Sequence, residues 1–160
     1  MTSTPSSPSV PPRKRSRTIA RVAAVQALYQ CEQNGESAEA VIKEFIDFRR
    51  IAPQAQFEDG HIPDADLSLF ATIVTATVQQ QNEIDHTLSH LLPENWPMER
   101  LDPVLRALLR AALSEMIAKV PVQVAINEYL DVAHGFFSGD EPKMVNGILD
   151  KFAQNNRDVE

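Results

Sequence analysis

From Ile19 to Tyr29 the chain is apolar apart from Arg21 and Gln26, and rich in alanine, which predicts a helix buried around most of its circumference. Ser16 or Thr18 is the expected N-cap and Asn34-Gly35 the stop. Ser37 then caps a second helix, with Val41, Phe45 and Phe48 on one side and Arg49-Arg50 at the end where cations suit the helix dipole. Pro53, Gly60 and Pro63 mark residues 51–63 as a loop. Asp64 or Asp66 caps a long third helix, whose stripe of Leu67, Phe70, Val74 and Val78 continues through Ile84, Leu88 and Leu91 to the break at Pro93 and Pro97. A fourth helix runs from about Asp102 to Ala118, with Pro103 in its first turn and Leu105, Leu109, Ala112 and Met116 inward. Pro121 begins a fifth, with Val122, Ile126, Tyr129, Ala133 and Phe137 on one face. After Gly139, Asp140 caps a sixth that turns Val145, Leu149 and Phe152 inward. No stretch alternates with period two for long enough to make a strand. Asn146-Gly147 can signal a hairpin, but the apolar residues around it keep helical spacing, so Gly147 reads as a small residue permitting close helix contact. The pattern is that of an all-α protein.

Charge adds an asymmetry that the helices alone do not show. Arg13, Lys14, Arg15, Arg17 and Arg21 all precede the first acid, Glu32. Subtracting those five from the 15 Lys and Arg leaves ten against 22 acids, so a body of net charge −12 carries one basic end. Such a chain meets a polyanion at one place only. Residues 1–12 are Ser, Thr and Pro with little apolar surface and read as a disordered tail, leaving 13–160 as one helical domain. A lone Cys31, no apolar run of membrane length and no apolar core behind the N-terminal charges together read as cytoplasmic, with no membrane partner.

The candidate chemistry is recognition rather than catalysis. On a helix Lys14, Arg17 and Arg21 line up at i, i+3 and i+7, and guanidinium groups pair with phosphates and stack on bases. The bland alternative is a solvated tail or an import signal. Tyr29 reads on pattern alone as a core residue, and otherwise as a ring for stacking a base beside Gln26. His86 and His90 stand four apart, the spacing of a zinc pair, but no third ligand is evident and they read as surface histidines; no metal or other cofactor is expected. The acid pairs, among them Glu128 and Asp131, read as caps or solvated faces. Arg106 and Arg110, inside an apolar helix, either face a partner or lay their stems over apolar surface. No nucleophile elbow, phosphate loop or dinucleotide fingerprint is present, so an enzyme is not expected.

Three stretches, RKRSRTIARVAAVQALYQ, RLDPVLRALLRAALSEM, and VPVQVAINEYLDVAHGFF followed by PKMVNGILDKF, together resemble the bacterial transcription antitermination factor NusB family from about Arg13 to Phe152. The resemblance implies two small helical bundles packed together. It also implies binding of the boxA RNA element of ribosomal RNA leader transcripts with NusE, the small-subunit ribosomal protein, in an RNA polymerase complex that holds other Nus factors. Carried over residue by residue, the RNA contacts are Arg13, Lys14, Arg15, Arg17, Arg21, Gln26 and Tyr29, then Asp140, Lys143, Met144 and Asn146 on the last helix. Met144 stands where an aromatic is usual. Leu105, where an acid is common, lies with Arg106 and Arg110 on the helix linked to NusE. A homodimer stays open, as does a rival reading: a helical protein-interaction adaptor with a non-specific basic tail.

Overall fold

The computed structural model describes residues 12–47 and 66–157. These form seven α-helices and one short 3-10 turn: α1 (Pro12–Asn34), α2 (Ala38–Asp47), α3 (Leu67–Gln79), α4 (Gln81–Leu91), the 3-10 turn Met98–Arg100, α5 (Pro103–Ile117), α6 (Val122–Phe136) and α7 (Glu141–Arg157). The expectations for residues 1–11, Phe48, Arg49-Arg50, the 51–63 loop and Asp64 lie outside the described residues.

Most boundaries follow side-chain chemistry. Ser37 Oγ accepts from the Ala40 amide at the start of α2, and Asp66 Oδ1 from the Leu69 amide (2.8 Å) at the start of α3. Asp102 takes the Val104 and Leu105 amides ahead of Pro103. Gly35, at φ +70°, closes α1 by donating to the Cys31 carbonyl. The start of α1 departs from expectation, because Pro12, whose fixed φ suits a first helical position, begins it ahead of Ser16 and Thr18. Thr18 instead sits inside the helix and donates to Glu128 (3.0 Å). The long third helix is two, bent at Gln80 (φ −107°, ψ 17°) one turn after the Thr77 hydroxyl bonds back to the Ile73 carbonyl.

Helices α1, α2 and α3 pack on one another, and α4, α6 and α7 gather about α5, which also lies against α1 and α3. The two bundles therefore share the α1–α5 contact. Four alanines of α1 (Ala20, Ala23, Ala24 and Ala27) are wholly buried among these helices. Every residue of α5 from Ala107 to Met116 is buried, including Arg110, Ser114 and Glu115. Gly147 corrects one expectation: it lies within α7, yet a Cβ added there would meet nothing within 4 Å, so its smallness serves no close approach. None of the described helices is long and apolar enough to cross a membrane.

Candidate nucleic-acid interface

Helix α1 presents two sides of different character. Arg15 and Tyr29 are exposed and Gln26 half-exposed. Arg15 and Gln26 are eleven residues apart, about three turns, so they and Tyr29 share one open stripe some 21 Å long. Tyr29 is 38% exposed, which overturns the pattern-based reading of it as a core residue. Arg17 is also exposed, and Arg13 and Lys14 lie in the first turn of the helix.

Arg21 does not join them. Of the residues aligned with it in the sequence, Arg17 stays exposed, but Arg21 points inward and is 5% exposed. Its Nε and Nη2 meet the two carboxylate oxygens of Glu115 at 2.7 and 2.9 Å, and Nη1 lies 3.3 Å from Glu128. Tyr129 donates its hydroxyl to Glu115, and its ring lies 5.9 Å from the guanidinium carbon. Burial alone would lower the Arg21 pKa, but its hydrogen bonds to Glu115 and the neighbouring negative charge outweigh burial and raise it. This corrects the reading of Arg21 as a direct phosphate contact, because each guanidinium edge is already taken. It equally corrects Glu128, read as a cap or solvated acid and found buried.

The residues read as partner contacts also face inward. Leu105 is 1% exposed and belongs to the core. Arg110, 7% exposed, pairs with Asp85 of α4 through Nε (2.8 Å) and Nη2 (2.9 Å), and reaches Glu32 of α1 at 3.2 Å. Arg106 holds Glu32 through Nη2 (2.8 Å) and donates from Nη1 to the Met98 and Leu101 carbonyls, which fixes the α4–α5 connection. Desolvation works to raise the Glu32 pKa, but the hydrogen bond from Arg106 and the charge of Arg110 prevail and lower it. The sequence left open whether these arginines face a partner or reach water past apolar stems, and in the fold both are held by acids that were not singled out from the sequence.

The second group sits at the start of α7. Asp140, Lys143 and Asn146 are exposed, Met144 is half-buried against the core, and the Asp140 carbonyl accepts the first helical bond from Met144. This helix packs chiefly on α6, with lesser contact to α5 and α4, so it brings its residues up on a separate element from the α1 stripe. His86 and His90 touch edge to face, ring centroids 4.6 Å apart, and among the described residues no group of three His, Cys, Asp or Glu is placed to hold a metal.

Comparison with known proteins gives these surfaces a context. The NusB family model matches residues 18–154. The chain is 64% identical over 151 residues to the transcription antitermination protein NusB of Gluconobacter oxydans (strain 621H), covering 94% of each chain. It is 57% identical to the protein of that name from Granulibacter bethesdensis, covering 92% of this chain and 93% of that one. Among solved structures, NusB of T. maritima superposes with a TM-score of 0.68 at 26% identity, covering 92% of this chain and 93% of that one. A chain from a crystal structure of antitermination factors NusB and NusE in complex with dsRNA has the same fold (TM-score 0.72, 24% identity, 88% of this chain and 98% of that one). With the family match running from Thr18 to Gln154, and relatives alike over nearly their whole length, this chain belongs to the NusB family of transcription antitermination proteins.

Proposed function

We propose that this protein binds the boxA element of ribosomal RNA leader transcripts as a single strand, together with NusE, in the cytoplasm. The complex would then hold RNA polymerase, with the other Nus factors, against early termination. The observation that supports this reading most is the open stripe of α1 on an otherwise acidic body. Arg15 and Arg17, with Arg13 and Lys14 ahead of them, engage phosphates. Tyr29 offers a ring to an unpaired base and Gln26 an amide to its edge, contacts that a single strand leaves accessible. At the start of α7, Lys143 adds charge, Asp140 and Asn146 add hydrogen-bonding groups, and the Met144 thioether packs against a base without stacking as a ring would. Leu105, Arg106 and Arg110 serve the partner indirectly, by shaping the α4–α5 connection around which NusE would dock. That a structure of NusB with NusE and dsRNA shares this fold is consistent with the partner assignment.

The test is a titration of boxA RNA, a scrambled strand and a duplex of the same composition, each with and without NusE, at several salt concentrations. Preference for the boxA strand, strengthened by NusE, is the expected result. Equal affinity for the scrambled strand with NusE present would refute the proposal.

A further inference from the structure

We infer that Arg21 is a positioning residue for RNA recognition: its buried pairs with Glu115 and Glu128 set the rotation of α1 about its own axis, and hence the outward direction of Arg15, Gln26 and Tyr29. The inference rests on the RNA-binding reading above and assigns Arg21 no contact with the transcript.

Three observations carry it. The first is directional bonding across the contact between the bundles. Arg21 grips α5 with two parallel bonds to Glu115 and reaches α6 at Glu128, whose same oxygen accepts from Thr18. The second observation is repetition. Glu32, eleven residues and about three turns further on, lies on the same side of α1 and is held by Arg106 and Arg110 of α5. One side of the helix is thus tied near both ends, while Gln26, about 140° round from Arg21, points elsewhere. The third is charge. The cleft that leads to Arg21 is lined by Arg17 and by Asp66, Glu115 and Glu128, three acids to the two arginines, so beyond Arg17 no excess of positive charge draws a phosphate in to Arg21.

Glu115→Gln separates a positioning role from a contact. If Arg21 bound phosphate, removing a competing carboxylate would leave RNA affinity unchanged or raise it. A positioning role requires the opposite: roughly tenfold weaker binding as Gln26 and Tyr29 turn away from the bases, with the salt dependence largely kept because the long, flexible side chains of Arg15 and Arg17 still reach phosphate from a turned helix. Arg21→Lys, which keeps the charge and loses the two-pronged geometry, should weaken binding comparably, and the two changes together should cost little more than either. Circular dichroism confirms that each variant folds. Should Glu115→Gln fail to fold, Glu128→Gln, which removes only the 3.3 Å contact, makes the same measurement. Tyr29→Ala and Arg15→Ala run alongside. If they weaken binding while Glu115→Gln does not, the positioning role is wrong and the RNA face stands. If both bind like the parent, the RNA face itself is wrong and the inference falls with it.

Discussion

Tyr129 has no exposed surface, and its hydroxyl donates to the carboxylate that holds Arg21. Burial first, then the charge of Glu115, raise its pKa well above the ordinary 10.0. A phenol whose pKa is higher in the folded state than in the unfolded chain contributes stability that is complete below pH 10 and is lost as the pH climbs beyond it. In Tyr29→Phe, Tyr129 is the sole tyrosine, so tyrosinate absorbance should stay absent above pH 10 until Trp96 fluorescence reports unfolding. Ionisation of the phenol near pH 10 in the folded protein would contradict the buried arrangement. The same cluster shows what a linear reading misses. Arg15, Arg17 and Arg21 look alike in sequence, and the acids that claim Arg21 lie 94 and 107 positions away. A local signal did exist: Glu115 and Glu128 interrupt apolar stretches of their helices, where an acid calls for a buried cation. Tyr29 went astray in the other direction, since an apolar neighbourhood along the chain does not say which side of a helix remains open.

At the level of elements, caps were legible because a cap is a short-range bond: Ser37, Asp66 and Asp102 each satisfy amides two or three residues ahead. The bend between α3 and α4 was not, for no Pro or Gly marks Gln80 and the apolar stripe passes through it unbroken. The turn between α5 and α6 holds a second such surprise. Lys119 adopts φ +72° while its amide and that of Val120 close the end of α5 on the Met116 and Glu115 carbonyls. Helices that end this way ordinarily place glycine there, because a side chain in the left-handed region is strained. Lys119 is exposed, so Lys119→Gly should stabilise the fold by about 0.5–1 kcal/mol in denaturant unfolding, relief of strain exceeding the entropy that glycine adds to the unfolded chain. A loss of stability would show that the lysine side chain makes a contribution beyond its backbone.

Across the whole molecule, the helical class could be read from periodicity, but the division into two bundles came only from family resemblance. Periodicity shows which face of a helix is buried and not what buries it; that α5 is the helix both bundles share depends on contacts between distant segments. Charge distribution is the molecular property most open to test. If phosphate is met only at the basic end, replacing Arg15 and Arg17 by alanine should reduce the slope of log affinity against log salt by roughly 1.4, at about 0.7 per single-strand phosphate contact. Lys43→Ala on α2, away from that end, should leave the slope alone. Equal effects from the two would mean that the molecule attracts RNA diffusely.

The triad of Arg21, Glu115 and Glu128 also restricts how such a chain can diverge. Losing Arg21 strands two acids indoors, at about 3–5 kcal/mol, against a total of roughly 5–15 kcal/mol that keeps a domain folded. A single step at position 21 therefore passes through a weakened ancestor, and descendants that alter position 21 should be found to have altered 115 or 128 as well, inheriting the three as one character.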